Sequence, residues 1–432
     1  MKTSKILVAG ILAATALIST ASAQQKIYIT GSTAFRAAAV TGIGGANGNT
    51  PGGTGALQGS FTVASDNSDL TSANVVTYTG GTITVASVAV PVTIKVSWSG
   101  STGGYQTVAG SLPVKFLPDG ATGTANADIR VTGNGTTTSE DHAPDIGFGD
   151  SQQSSTPFKA TPYVTLTTTP IGIVAFVFAA SNGFPAGLSM SKKAFEYQYG
   201  ASGGVPLSTY NGDPTDALAG ARFVYGMGRD PDSGTRTITL AETGYGVSVA
   251  VHQLKPTVSG NNITAFADYT ATTVNGILYA GPNMGESSGG SLRAFLNKTV
   301  TATPNGETGP SYAVTYLGIS DFLKTYTGTF AELTGSYAGT LPSVPLAWNG
   351  VTFSQAGIKN GSYTFWSPEY TTRRSDLGNG TTGGPAVKLT FYTNLSSAIL
   401  ALPTSGLSGN VKLSDLQVQR NGDGGPITSL NF

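Results

Sequence analysis

The sequence contains no cysteine and only two histidines. Without cysteine there are no disulfides, thiolate metal sites or cysteine nucleophiles, and no lipidated cysteine can anchor an exported chain. His142 and His252 stand apart from each other and from any cluster with metal-ligand spacing. The chain also lacks a Gly-x-Ser-x-Gly elbow and a His-Glu-x-x-His motif, so no base is placed to activate a nucleophile. We therefore expect no enzyme, no metal and no cofactor.

Charged residues are scarce as well. They make up 11% of the chain, and 23 basic residues balance 23 acidic ones. A chain without net charge has no overall field to attract nucleic acid or an anionic membrane surface. We expect no nucleic-acid partner, and any anion site must be local.

Long apolar runs are missing apart from one near the N-terminus. Lys2 and Lys5 precede the apolar segment Ile6–Ile18, and small residues follow it, a pattern typical of a secretory signal peptide over residues 1–23. The best later candidate, Ile171–Ala180, is far shorter than the roughly 20 apolar residues of a membrane-spanning helix. We expect a periplasmic or secreted protein without a membrane span, and a monomer.

Glycine is abundant, with 59 residues, and short β-type runs alternate with short helical patterns. Lys26–Thr30 and Tyr312–Leu317 are typical of strands, whereas Thr235–Thr243 has the apolar spacing of a helix. Strands are also predicted over Thr82–Val92 and Val387–Tyr392. This alternation predicts an α/β fold.

The length of 432 residues predicts two lobes, because a single core stops growing at roughly 250–300 residues. Lobe one is predicted to comprise residues 24–180 and 352–432, and lobe two residues 181–351. The Gly- and Thr-rich stretches 42–92 and 105–131 are interpreted as β-rich insertions or flexible loops within lobe one.

The most informative segment runs from Arg229 to Thr235, between a predicted strand and a predicted helix. Ser233 is placed to cap the helix, which leaves the amides of Gly234 and Thr235 without intrahelical partners. An oxyanion on the helix axis would bind these amides, and Arg229 could add a charge-assisted pair. The segment therefore predicts an anion site, although Arg229 with its acidic neighbours could also be a solvated ion pair on a turn.

Two further segments have the same position after a strand. Ser99–Gly104 offers hydroxyls and unobstructed amides, with Ser101 as the candidate contact, although an ordinary Gly-rich turn remains an alternative. Gly31–Phe35 opens a predicted helix, and its candidate contacts are Ser32, Thr33, Ala34 and Phe35. For Thr33 a purely structural role is an equal alternative.

A fourth segment places Asp150 at a strand end. A carboxylate accepts a hydrogen bond from monohydrogen phosphate, whereas sulfate has no proton to donate. Asp150 would then select phosphate over sulfate. The alternative is that Asp150 is an ordinary turn or cap residue.

The four segments together resemble the phosphate-binding protein of bacterial ABC uptake systems, a class II periplasmic binding protein. Arg229 with Ser233, Gly234 and Thr235 is similar to the family's Arg-x-x-x-Ser-Gly-Thr loop, and residues 100–104 resemble its Gly-Ser-Ser-Gly-Gly turn. Residues 145–150 resemble Asp-Phe-Gly-Ala-Ser-Asp, whose last aspartate accepts the phosphate proton. The resemblance implies a two-lobed fold with a hinge, an ABC permease as partner, and the following phosphate contacts: Ser101, Asp150, Arg229, Ser233, Gly234 and Thr235.

This chain departs from the family pattern in two respects. Thr33 precedes Ala34 and Phe35, where the family usually has Ala-Thr-Phe, and the predicted insertions lengthen lobe one. Two functions are therefore compared. The first is an extracytoplasmic solute-binding protein that takes phosphate or a similar tetrahedral oxyanion for ABC-type uptake. The alternative is a secreted β-rich structural or surface protein that keeps the scaffold without transport.

Overall fold

The structure is a computed structural model. It describes residues 24–123, 139–200, 203–213, 221–274, 276–326, 343–378 and 384–430. The predicted signal peptide and the end of the predicted insertion 105–131 lie outside the described residues. No helix within the described ranges is both long enough and apolar enough to cross a membrane.

The described β-strands are short, and most of the longer ones belong to one sheet. They are β1 (Gln25–Gly31), β2 (Thr62–Ser65), β3 (Val75–Val85), β4 (Val88–Ser97), β5 (Val114–Phe116), β6 (Glu140–His142), β7 (Ile146–Gly149), β8 (Thr167–Ala180), β9 (Ser189–Met190), β10 (Val205–Pro206), β11 (Phe223–Gly226), β12 (Leu254–Ser259), β13 (Asn262–Asp268), β14 (Thr272–Val274), β15 (Ile277–Tyr279), β16 (Thr299–Val300), β17 (Tyr312–Gly318), β18 (Val344–Trp348), β19 (Trp366–Arg373), β20 (Val418–Arg420) and β21 (Ile427–Ser429).

The described α-helices are also short, apart from the last. They are α1 (Arg36–Gly44), α2 (Ser101–Gly110), α3 (Lys192–Gly200), α4 (Ser208–Asn211), α5 (Gly234–Glu242), α6 (Gly289–Leu296), α7 (Ile319–Leu323), α8 (Gln355–Asn360) and α9 (Gly384–Leu400). Helices thus alternate with strands along much of the chain, and the predicted α/β fold is confirmed.

Twelve of the described strands form one mixed sheet, whose main path runs β10-β11-β17-β8-β19-β7-β1-β4-β3-β2. The long strand β8 is shared between two groups. Its residues 167–175 pair with β19, whereas its last residues pair with β17 and β18. The parallel strands β1, β4 and β7 lie on one side of this crossing, and the parallel pair β11 and β17 lies on the other.

The strands on both sides are almost wholly apolar where they are covered by helices. Residues 171–180 of β8 are all buried, as are all seven residues of β17. Such continuous apolar runs are typical of strands that are covered on both faces. The four predicted anion segments directly follow the carboxyl ends of four strands, which are β1, β4, β7 and β11.

Three predictions of local structure are wrong. The predicted strand Thr82–Val92 is divided by a hairpin turn at Ala86 and Ser87, whose φ angles of 47° and 67° cannot belong to an extended strand. Residues 387–392 lie within helix α9, because Val387, Phe391 and Leu395 fall on one buried helical face. Residues 105–110, which were predicted to open the second β-rich insertion, belong instead to helix α2, which continues to Gly110.

The stretch 42–92 is not a separate β unit, because strands β2 and β3 extend the main sheet through β4. Its loop 66–74 also reaches toward α7. Lys324, directly after α7, donates to the hydroxyls of Thr71 and Ser72 over 3.0 and 2.5 Å. This part of the chain is thereby packed against the second strand group.

Candidate functional site

The segment after β11 forms the helix start that the sequence predicts. Ser233 has extended backbone dihedrals, and its hydroxyl accepts a hydrogen bond from the amide of Arg236 over 3.2 Å. Helix α5 then begins at Gly234. The amides of Gly234 and Thr235 belong to its first turn and have no intrahelical acceptor. The N-cap prediction for Ser233 is confirmed.

A second helix start faces the first. Gly100 has a φ of 89°, a conformation that glycine adopts without strain, and helix α2 begins at the next residue, Ser101. The amide of Thr102 donates to the carbonyl of Asp232 over 2.9 Å. A side chain at position 100 would collide with this carbonyl, since an added Cβ would lie 2.4 Å from its oxygen. The amino ends of α2 and α5 are thus held against each other.

Asp150 lies between these two helix starts and is 1% exposed. The hydroxyl of Ser101 donates to its Oδ1 over 2.5 Å, and the hydroxyl of Thr235 donates to its Oδ2 over 3.4 Å. An added Cβ on Gly234 would lie only 1.7 Å from Oδ1 of Asp150. Three segments that are far apart in sequence therefore meet at this carboxylate.

The positive charge of Arg229, whose side chain is itself 1% exposed, acts on Asp150 from the 229–235 segment. Its side chain donates to three neutral oxygens: the carbonyls of Glu286 and Ser287, and the hydroxyl of Thr33 over 3.1 Å. Within the described part of the chain, no carboxylate forms an ion pair with this guanidinium. A buried cation without a direct counter-ion favours an anionic ligand.

The N-terminal segment contributes through both backbone and side chains. The amide of Ser32 donates to the carbonyl of Phe148 over 3.0 Å, while the buried Ser32 hydroxyl has no hydrogen-bond partner among the described residues. The carbonyl of Ala34 accepts from the hydroxyl of Ser320 over 2.9 Å. Phe35 is fully buried, and its ring fills the space beside Gly172 on β8, so its side chain is part of the core.

The ten candidate residues therefore come together at one place in the fold. Ser32 and Thr33 follow β1, Ser101 follows β4, Asp150 follows β7, and Arg229 to Thr235 follow β11. The hydroxyl of Ser233 accepts the capping hydrogen bond and keeps its own proton to donate to a ligand. The side chains of Ala34 and Phe35 are packed inside, so these two could offer a ligand only backbone groups or ring contact.

Burial and charge set the protonation of the central carboxyl. Burial raises the pKa of Asp150 to about 6, against the hydrogen bond from Ser101 and the positive charge of Arg229, which both lower it. The carboxyl is therefore still mainly ionised at neutral pH. Because it is desolvated, its affinity for a proton is higher than that of an exposed aspartate.

One buried acid beside the site was missed at the sequence level. Glu369 on β19 is fully buried, and neither of its carboxylate oxygens has a hydrogen-bond partner among the described residues. Burial raises the pKa of Glu369 well above its usual range, and the negative charge of Asp150 raises it further. The sequence holds only a weak signal for this residue, which is that Glu369 is the one acidic residue within the otherwise uncharged run 364–372.

The two histidines lie in other surroundings. His142 stacks on the ring of Tyr28, and His252 pairs with Asp268 over 2.9 Å. The described ranges contain no group of three or more His, Asp or Glu side chains that could hold a metal ion.

No family model and no curated protein matches the chain. Solved structures do resemble it. One is named a "putative phosphate ABC transporter substrate-binding protein with bound phosphate", from Clostridium perfringens, with a TM-score of 0.42 and 10% identity over 90% of this chain and 99% of that chain. An ABC-type phosphate transport receptor from Vibrio cholerae has a TM-score of 0.28 and 13% identity over 54% of this chain and 68% of that chain. A phosphate binding protein from Stenotrophomonas maltophilia has a TM-score of 0.28 and 10% identity over 69% of this chain and 83% of that chain.

The names of these solved structures are those of the family that the sequence motifs resemble. At such low identities and TM-scores, however, the likeness by itself says nothing about the ligand of this chain.

Proposed function

We propose that this protein is an extracytoplasmic solute-binding protein that closes around phosphate or a similar tetrahedral oxyanion for ABC-type uptake. The observation that carries the proposal is Arg229, a buried guanidinium without a carboxylate ion pair among the described residues, next to the first turn of α5. A cation in such surroundings is stabilised when an anion enters beside it.

Neutral donors support the same ligand. The amides of Ser101, Gly234 and Thr235 all belong to first helical turns, where no intrahelical acceptor is available. The positive ends of two helix dipoles add to the charge of Arg229. A tetrahedral anion with four oxygens could use donors that arrive from several directions, as these do.

Asp150 supports phosphate rather than sulfate. With a pKa of about 6 this carboxyl is mainly ionised at neutral pH and can accept a hydrogen bond. A protonated phosphate oxygen donates that bond, whereas sulfate would bring only acceptors against a buried negative charge.

The residues come from both proposed lobes. Thr33, Ser101 and Asp150 belong to lobe one, and Arg229 and Thr235 belong to lobe two. Contacts already cross this boundary, including the bond from Arg229 to Thr33. A ligand that binds both sides stabilises the closed form over the open form, and only this difference in affinity drives closure. The closed form would then dock on a membrane permease.

Isothermal titration of the secreted protein with phosphate and with sulfate tests the proposal. We expect phosphate to bind at micromolar concentration, on the order of −8 kcal/mol, and sulfate to bind more weakly. A flat trace for both anions would instead favour the alternative, a secreted structural or surface protein that keeps this scaffold without transport.

A further inference from the structure

Glu369 lies where strand β19 passes beneath the candidate site. It stands opposite Gly172 of β8, and the register of the β8–β19 pair shifts between Glu369 and Tyr370. Tyr370 pairs with Gly149, the residue before Asp150. The strand pairing places a fully buried carboxyl beside the end of β7, close to Asp150.

Two polar groups in this place lack a hydrogen-bond partner among the described residues. Both oxygens of Glu369 and the hydroxyl of Ser32 are buried, and none of them makes a hydrogen bond of ordinary geometry with the described residues. They are near each other in the sheet, because the amide of Ser32 donates to the carbonyl of Phe148, and Phe148 pairs with Thr371, two residues after Glu369. The Ser32 hydroxyl accordingly lowers the pKa of Glu369, although burial and Asp150 together raise it well above its usual range. Buried polar groups without partners are costly, and they are rare unless a ligand or water completes them.

The charges around Glu369 favour its neutral form. Asp150 faces it from the end of β7, and the phenols of Tyr105 on α2 and Tyr370 on β19 lie within electrostatic reach. The pKa values of both phenols are raised, mainly by burial, so they are neutral too. None of these groups offers Glu369 a positive charge. A protonated carboxyl has one donor to give, and Ser32 is the neighbour with a free acceptor.

We propose that Glu369, in its protonated form, donates a hydrogen bond to Ser32, whose hydroxyl in turn donates to the oxyanion bound between Asp150 and Arg229. The inference rests on the proposed function. It gives the site two carboxyl groups with opposite tasks. Asp150 accepts a hydrogen bond from the ligand, whereas Glu369 directs one toward the ligand through Ser32, as a positioning residue that does not itself touch the anion.

This chain of hydrogen bonds from Glu369 through Ser32 to the oxyanion, the Glu369 relay, makes phosphate affinity depend on pH. When Glu369 ionises, it becomes an acceptor, so it turns the Ser32 hydroxyl away from the anion and adds a second buried negative charge. Phosphate affinity should therefore fall as the pH rises through the raised pKa of Glu369. Glutamine at this position keeps a donor and cannot ionise, so Glu369→Gln should remove this alkaline loss while retaining affinity at neutral pH.

Titration with inorganic phosphate from pH 6 to alkaline pH tests the relay on the wild type, Glu369→Gln, Glu369→Leu, Ser32→Ala and the Glu369→Leu/Ser32→Ala double variant. We expect Glu369→Gln to stay within about threefold of wild type at neutral pH, and the Leu and Ala variants to bind about tenfold more weakly or worse. The double variant should bind phosphate no more weakly than the weaker of the Glu369→Leu and Ser32→Ala single variants. Both substitutions break the same chain of hydrogen bonds, so their effects do not add. Glu196→Leu, on the exposed face of α3, is the matched control.

The outcomes separate the two proposals. If wild type binds phosphate and Glu369→Leu binds equally well, the relay is overturned and the proposed function stands. If wild type gives no heat, both fail. A purely structural role for Glu369 would lower thermal stability without changing the pH profile of binding, which also overturns the relay.

Infrared spectroscopy of the ligand-free protein gives an independent reading. As the pH rises from 6, a carbonyl band of a protonated carboxyl that persists after Asp150 has ionised should be present in wild type and in Asp150→Asn and absent in Glu369→Gln. A wild-type spectrum without this band overturns the relay even if phosphate binds.

Discussion

Nη2 of Arg229 donates a hydrogen bond to Oγ1 of Thr33 over 3.1 Å, and 195 intervening residues of chain separate these two partners. The contact joins the loop after β11 to the loop after β1. Both loops lie at carboxyl ends of parallel strands, on opposite sides of the crossing strands β8 and β19. A ligand at this contact would therefore bind to both strand groups at once.

Replacing Arg229 with glutamine should weaken phosphate binding by at least about 30-fold, because removal of one partner from a buried charge pair costs roughly 2–5 kcal/mol. Titration calorimetry measures the loss. Arg374→Gln is the control, since Arg374 is partly exposed and pairs with Asp376 away from the site. Equal losses in the two variants would contradict a specific role for Arg229.

Replacing Gly234 with alanine should abolish phosphate binding and leave the fold intact. The added Cβ would lie 1.7 Å from Oδ1 of Asp150 and 2.5 Å from Oγ of Ser101, so the two helix starts could not approach each other. Gly290→Ala is a close match, because Gly290 also lies in the first turn of a helix, and its added Cβ would meet nothing nearer than 3.6 Å. Normal phosphate binding by Gly234→Ala would show that binding does not require the close approach of the two helix starts.

Replacing Asp150 with asparagine should narrow the gap between phosphate and sulfate. The neutral amide no longer repels sulfate, and it no longer selects a protonated ligand oxygen. Parallel titrations with both anions give the ratio of dissociation constants. A ratio equal to that of wild type would mean that this carboxyl does not select the ligand.

The same substitution should change how stability depends on pH. The pKa of Asp150 is about 6 in the folded protein against an ordinary value of 3.8, so this group favours folding fully below pH 3.8, and its contribution is lost as the pH rises through 6. The difference corresponds to about 3 kcal/mol at 1.36 kcal/mol per pKa unit.

Ligand-free Asp150→Asn should therefore lose less stability than wild type between pH 4 and pH 7. Urea unfolding at several pH values measures this difference. Asp141→Asn serves as the exposed control. Parallel stability curves for wild type and Asp150→Asn would contradict the raised pKa.

The local structure around the candidate residues was largely predictable because local rules set it. Ser233 caps a helix that follows a strand, and such a start exposes amides whatever the rest of the fold does. Asp150 and Ser101 follow strands in the same way. The contact between these residues depends on the order of the strands in the sheet, which local sequence patterns do not reveal. A parallel arrangement brings β1, β4 and β7 side by side.

The wrong secondary-structure predictions have local causes, whereas the missed residue Glu369 has a tertiary one. Val387–Tyr392 is a short apolar run, and such a run has no period that separates strand from helix until its neighbours are included. Ala86 and Ser87 adopt positive φ without a glycine to signal the turn. Glu369 was missed because burial on a crossing strand is a tertiary property, and an isolated glutamate is typical of exposed positions.

The contact between loop 66–74 and the residue after α7 predicts a small effect on closure. Burial raises the pKa of Asp69, but hydrogen bonds from Thr71 and Ser72 and the charge of Lys324 together lower it to about 2, so the ion pair persists at neutral pH. Since Asp69 is about half exposed, the pair is worth roughly 1 kcal/mol at most. Replacing Lys324 with methionine should therefore speed phosphate release by about fivefold or less at low ionic strength, and salt should erase the difference.

Stopped-flow release experiments at two salt concentrations measure this effect. Lys193→Met is the control, because Lys193 is highly exposed and pairs only with Glu196 of its own helix in the described structure. An unchanged release rate at low salt would mean that this loop rests against α7 without holding the closed form. An increase in the release rate far above fivefold would mean that the loop stabilises the closed form by more than this ion pair, because an exposed ion pair alone is too weak for such an effect.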